Sequence, residues 1–336
     1  MIRTTFLSTG MRVPDRVVTN DDLASIMDTT DEWIRQRSGI EERRWVEEGE
    51  AGSDLGCAAS EMALDRAGLE AADVDCIIVA TLSPDHFFPG TGVFMQRKLG
   101  VSDVPCLDVR NQCSGFLYGL SVADAWIRVG QYRRVLLVGT EVHSTGLHRN
   151  DAGRDTAVLF GDGAGAVLLE GREVDESDET AAGLLSVHIH ADGRHAEKLW
   201  VEVPGSKYDP LITHEHIDAG LTRPMMEGRE VFKHATSRMP EAVREALDAN
   251  GLTIDDIDLL IPHQANLRIS QMVQRALGLT DDRVYNNIQR YGNTTAASIP
   301  IALHESLDEG RLSPGGLLCL TAFGSGFTWG SALIRW

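Results

Sequence analysis

Lysine is nearly missing from this chain of 336 residues: Lys98, Lys198, Lys207 and Lys233 stand alone among 31 basic residues, and the rest are arginine. Against 50 acidic residues they leave a formal charge of −19. A surface of that sign repels phosphate backbones and anionic lipid, so nucleic acid is excluded as a default partner. Cysteine is scarce too. Five of them, an odd number with no CxxC pair, do not make a disulfide framework and argue against a structural metal site such as zinc. No apolar run reaches the roughly 18 residues that cross a bilayer. The start, Met1-Ile2-Arg3-Thr4-Thr5-Phe6-Leu7, lacks the apolar stretch of a signal peptide. The expectation is a cytoplasmic protein of a reducing compartment, with no membrane insertion. What is present is an ordinary globular mixture, 43% hydrophobic and 24% charged, long enough for one large domain or two joined ones.

The chain repeats itself. Ala63-Leu64-Asp65-Arg66-Ala67-Gly68-Leu69 leads through Asp73-Val74-Asp75 into the apolar run Cys76–Ala80. Ala246-Leu247-Asp248-Ala249-Asn250-Gly251-Leu252 leads likewise through Asp256-Ile257-Asp258 into Leu259-Leu260-Ile261-Pro262-His263, at a constant offset of 183. Each copy reads as a helix ending at Gly, an acidic turn and a buried strand. Val135–Thr140 echoes Leu317–Ala322 at an offset of 182, and Ala164–Leu169 resembles Trp329–Ile334. Apolar strands alternating with helices imply an α/β fold with both sheet faces covered. The expected division is 1–172 and 173–336, with the acidic stretch Glu170–Glu179 as a solvated linker and a site at the junction.

Cys113 lies between the strand-like Val104–Val109 and the amphipathic run from Ser114, at a strand-to-helix turn. Free N–H groups and the helix dipole there favour a thiolate, which predicts a lowered thiol pKa. Cys57, Cys76, Cys106 and Cys319 fall inside helix or strand patterns and read as inert buried groups. His263 follows the second copy's strand. Asn293 sits in the small-residue turn Gly292–Ser298, which the repeat matches to the neighbourhood of Cys113. Thiol, imidazole and amide thus all map to strand ends. Two other patterns are discounted. Gly161-Asp162-Gly163-Ala164-Gly165 precedes a strand instead of opening a helix, so it does not cradle phosphate. His188, His190, His195, His214 and His216 show no acidic or thiol partner at ligand spacing and read as surface histidines.

Asn111-Gln112-Cys113-Ser114-Gly115-Phe116, His263-Gln264-Ala265-Asn266, Gly292–Ser298 and Gly324-Ser325-Gly326-Phe327 together resemble the β-ketoacyl-acyl carrier protein synthase III family, end to end. The resemblance implies a thiolase fold, two α/β halves in αβαβα layers. It implies a homodimer that uses acyl-CoA and malonyl-acyl carrier protein without a cofactor and starts fatty acid synthesis. Cys113 would carry the acyl group, with His263 and Asn293 stabilising the enolate left by decarboxylation. The backbone N–H groups of Cys113 and Ser325 would form the oxyanion hole. Trp33, Arg37 and Arg154 would hold the nucleotide end of CoA, and Asn266 its pantetheine. Phe88 matches the residue that the family's partner subunit inserts into the acyl pocket. Lys233, Arg268 and Arg275 would dock the acidic carrier protein. Ser83-Pro84-Asp85-His86 also resembles a branch that condenses aroyl groups in quinolone synthesis, and a starter-unit acyltransferase would use the same acyl-cysteine. A thiolase would need a second cysteine in the Gly324 turn, which is absent. A cysteine hydrolase would use the amide to orient the imidazole.

Overall fold

The computed structural model describes residues 1–175, 178 and 180–336. In chain order the main strands are β1 (Ile2–Arg12), β2 (Cys76–Ala80), β3 (Cys106–Val109), β4 (Arg134–Glu141), β5 (Gly163–Glu173), β6 (Gly183–Ala191), β7 (Leu259–Pro262), β8 (Leu317–Gly324) and β9 (Thr328–Arg335). The helices that matter here are α1 (Asp31–Ser38), α2 (Gly52–Ala67), α3 (Gly115–Arg128), α4 (Gly228–Ala249), α5 (Leu267–Leu277) and α6 (Ser298–Asp308).

The repeated motif has a physical basis in its turns. Gly68 and Gly251 each end a helix at φ 65°, a conformation that costs glycine little. Five residues further, the carboxylate of Asp73 accepts the Glu70 N–H at 2.9 Å, and that of Asp256 accepts the Thr253 N–H at 2.7 Å. Each capped turn then delivers the chain into a buried parallel strand.

The first sheet runs β1-β5-β4-β2-β3 and the second β6-β9-β8-β7, so the two share one order from their outer strand inward. The pairs β2/β4 and β7/β8 are parallel, and β4/β5 and β8/β9 antiparallel. Face alternation fixes how the halves correspond. Val135 and Leu137 point into the core between the sheets, as do Leu318 and Leu320, whereas Leu136 and Val138 face outward with Leu317 and Cys319. The offset between β4 and β8 is therefore 183. An offset of 182 would turn every inward residue to the outer face.

Phe116, Leu117 and Leu120 of α3 and Ile299, Ala302 and Leu303 of α6 share one core with both sheets. Helix α2 covers the outer face of the first sheet, and α4 and α5 cover that of the second. The result is the five-layered αβαβα stack. The supposed linker begins later than its charges suggest. Glu170–Glu173 belong to β5, and Glu170 is buried because Arg134 and Arg172 pair with its carboxylate at 2.9 and 3.2 Å. Of the stretch expected to be solvated, Glu176, Ser177 and Glu179 lie outside the described residues.

Candidate active site

The strand ends converge on a cavity of about 150 Å³ lined by Cys113, His263 and Asn293, with Phe160, Phe232 and Met239 among its apolar walls. A larger, open depression of about 740 Å³ beside Arg133 and Arg172 lies at the other ends of the strands and contains none of these groups.

Cys113 sits in a 3₁₀ turn, Gln112–Ser114, that opens α3, and is 7% exposed. The preceding Gln112 takes φ 43°, and Gly324 packs so closely that a Cβ there would lie 2.8 Å from that of Cys113. The N–H groups of Cys113 and Ser325 face the sulfur and favour its charged form. They do not win. Burial, and then the negative charge of Glu141, push the thiol up to about 12, so the expected thiolate is not the resting form. The Ser325 hydroxyl donates to the Leu199 carbonyl, away from the sulfur, and leaves the backbone donor free.

His263 follows β7, and its own N–H donates to the Thr321 carbonyl at 2.8 Å. Burial pushes the imidazole down to about 3, so it is neutral. Its Nδ1 is 2.6 Å from Ser298 Oγ, which also accepts the Gln264 N–H at 3.3 Å. The hydroxyl has one proton, and Nδ1 is the acceptor placed to take it; that donation leaves the ring proton on Nε2. Among the described residues Nε2 is buried without a hydrogen-bond partner. Ser298 was visible in the sequence only as the end of the Gly292–Ser298 turn. Its role needed the distance.

Asn293 is held by its backbone, whose N–H donates to Leu159 O at 2.8 Å. Its Oδ1 accepts the Thr295 N–H at 2.9 Å, which leaves Nδ2 for the cavity. The amide does not orient the imidazole, unlike that of a cysteine hydrolase; Ser298 does that.

Trp33, Arg37 and Arg154 are brought together at the cavity's outer side. The Thr30 hydroxyl caps α1 by accepting the Trp33 N–H, and the guanidinium carbons of Arg37 and Arg154 lie 4.6 and 5.2 Å from the indole centroid. Asn266 lines the cavity, but both ends of its amide are engaged. Oδ1 caps α5 through the Arg268 N–H, and Nδ2 donates to Arg37 O at 2.9 Å. Phe88 does not line this chain's own cavity. It stands 80% exposed beside Phe87 on the loop after β2, because Glu141 holds Ser83 of that loop and Ser53 of α2 holds its Asp85, which leaves the tip outside. Lys233 on α4 and Arg268 and Arg275 on α5 are exposed, with Arg268 over the ring of Phe232 at 5.8 Å.

The histidines on β6 also differ from expectation. His188 and His190 share a face and meet Glu245 of α4 at 3.4 and 2.6 Å, an acidic partner that sequence spacing could not show. Among the described residues no three His, Cys, Asp or Glu side chains are arranged to hold a metal ion.

Two family models match the chain: 3-oxoacyl-[acyl-carrier-protein (ACP)] synthase III over residues 107–193, and the C-terminal model of the same family over 247–336. A beta-ketoacyl-[acyl-carrier-protein] synthase III from Roseiflexus sp. is 47% identical over 97% of this chain and 96% of its own length. One from Bradyrhizobium diazoefficiens is 44% identical over 100% and 99%. The solved structure of the Thermus thermophilus enzyme of that name superposes with a TM-score of 0.89 at 41% identity, covering 99% of both chains. These relatives make the chain a condensing acyltransferase of thiolase fold. The chain belongs to the 3-oxoacyl-[acyl-carrier-protein] synthase III family.

Proposed function

We propose that Cys113 takes an acyl group from acyl-CoA and that the acyl-enzyme then condenses with malonyl-acyl carrier protein, the first elongation of fatty acid synthesis. The sulfur attacks the thioester carbonyl, and CoA leaves as the free thiol with the proton of Cys113. The N–H groups of Cys113 and Ser325 carry the negative oxygen of the tetrahedral intermediate. In the second half, the bond to the malonyl carboxylate breaks and CO2 departs. The electron pair is held as an enolate whose oxygen accepts from His263 Nε2–H and Asn293 Nδ2–H. The enolate carbon attacks the acyl-Cys113 carbonyl, a C–C bond forms as the C–S bond breaks, and the departing thiolate takes up a proton from solvent to restore the thiol. No resident cofactor enters any step.

The observation that carries this reading is the buried, unpartnered Nε2 of His263 in the cavity that Cys113 and Asn293 share. An orphaned donor beside a thiol suits an oxyanion that appears only during reaction. Around it, Trp33, Arg37 and Arg154 take the nucleotide of CoA, Asn266 guides the pantetheine with its remaining hydrogen-bonding capacity, and Lys233, Arg268 and Arg275 dock the carrier protein. Phe88 completes the acyl pocket of a second copy, as a homodimer in the cytoplasm. Residues 1–172 and 173–336 act as the two halves of one centre. Incubation with acyl-CoA should add one acyl mass at Cys113, and malonyl-carrier protein should then release CO2. An acyl-enzyme that never supports CO2 release would point to a starter-unit acyltransferase instead.

A further inference from the structure

The last residue of β4, Glu141, is fully buried, and nothing in the reaction above uses it. A carboxylate so placed is costly unless its lone pairs are filled. They are filled from two sides. From the loop after β2, the N–H groups of Leu82 and Ser83 lie at 3.2 Å and the Ser83 hydroxyl at 2.6 Å. From the turn between Asn293 and α6 come the Ala296 N–H at 3.4 Å and the Thr295 hydroxyl.

That turn sets the catalytic amide. Thr295 takes φ 43°, which a β-branched residue adopts only where its surroundings impose it. Its N–H is the donor to Asn293 Oδ1, and its hydroxyl lies 3.0 Å from His143 Nε2. A flipped amide would set Nδ2 against this N–H, so the grip on Thr295 decides which end of Asn293 meets the cavity. The repeat sharpens the point. The offset of 183 carries Glu141 onto Gly324, and Thr295-Ala296 onto Gln112-Cys113, with φ 43° recurring at Gln112 and Thr295. At Gly324 the position is bare, which lets Cys113 approach. At Glu141 it carries a side chain that reaches the equivalent turn.

We propose that Glu141, through Thr295 and with His143, is a positioning residue for the decarboxylating half of the reaction, holding the Asn293 amide toward the malonyl thioester oxygen. Acylation of Cys113 does not require it. The inference rests on the role assigned to Asn293 above. Glu141→Gln preserves volume, yet both oxygens of Glu141 accept backbone N–H groups, so an NH2 in either place opposes a donor. Glu141 also holds the Cys113 thiol up, so its neutralisation does not slow acylation.

The test separates the two half-reactions on the intact enzyme. Acylation is followed by mass at Cys113, and decarboxylation by CO2 from malonyl-carrier protein, in wild type, E141Q, T295V and N293A. The expected result for E141Q is acylation at or above the wild-type rate with decarboxylation slower by roughly 10- to 100-fold. T295V should shift the same way, and T295S, which keeps the hydroxyl, should recover. Unchanged decarboxylation in E141Q, or equal losses in both half-reactions, would overturn the proposal. If E141Q does not fold, T295V without the split overturns it as well. A slow N293A beside a fast E141Q sinks this inference alone, whereas a fast N293A removes the role of Asn293 and this inference with it.

Discussion

His263 Nδ1 lies 2.6 Å from Ser298 Oγ. This contact makes the imidazole a donor toward the cavity without charging it, because the hydroxyl supplies the proton that Nδ1 lacks. Ser298→Ala frees the ring to place its proton on Nδ1 and presents an acceptor to the enolate. Malonyl decarboxylation should fall by about 10- to 100-fold while acyl-Cys113 still forms, an orientation effect read by the two half-reactions separately. A fully active S298A would show that the tautomer is set elsewhere.

Cys113 is expected to behave as an ordinary buried thiol until substrate arrives. With its pKa pushed up to about 12, alkylation by iodoacetamide should accelerate about tenfold per pH unit between pH 7 and 10, without levelling off. Mass spectrometry of Cys113 after timed exposure gives the rate. A plateau near pH 7 would mean that the helix end and the Ser325 N–H outweigh burial.

The neutral, buried His263 leaves a mark on stability. Its folded value of about 3 lies below the ordinary 6.5, so beneath pH 6.5 the unfolded chain binds a proton that the folded chain refuses. Stability from this residue falls as pH drops from 6.5 toward 3, by at most about 1.4 kcal/mol per pH unit. His143, pushed down to about 4, acts in the same sense. Glu141, raised to about 7, acts in the opposite sense and loses stability as pH rises from 4.5 through 7. Comparison with His263→Asn cancels the others. Denaturant unfolding should show wild type losing about 1 kcal/mol relative to H263N for each unit below pH 6.5. A difference that stays constant with pH would rule out a deprotonated buried ring.

The exposed arginine of α5 offers a test of docking. Arg268→Glu should reduce kcat/KM for the acidic carrier protein by about tenfold or more while acylation by acyl-CoA changes by less than about twofold, and the carrier effect should shrink with salt. Equal losses with both substrates would assign Arg268 to the cavity instead of its rim.

Much of this architecture is legible in the sequence. The helix–Gly–acidic turn–strand units announce themselves because each step has a local cause: a left-handed Gly68 or Gly251, and Asp73 or Asp256 capping the next turn. Cys113, His263 and Asn293 could be placed because strand ends follow from strands. What could not be read was anything set by contact across the fold. Ser298 looks like any small residue until it meets His263, and Glu141 like a strand-end charge until Thr295 and Ser83 close on it. Glu245 is far from His188 in sequence and beside it in space. The thiol value of Cys113 was misread because the helix end is local and visible, whereas burial is the sum of many distant neighbours.

The central layer has one more consequence. Helices α3 and α6 share one core with both sheets, so neither half has a closed interior by itself. The same division runs through the chemistry: the thiol comes from one half, and the imidazole, the amide and the Ser325 N–H come from the other. Folding and competence therefore arrive together, at the moment the halves dock. Before that step the thiol lacks the imidazole, the amide and the Ser325 N–H that the condensation would call on.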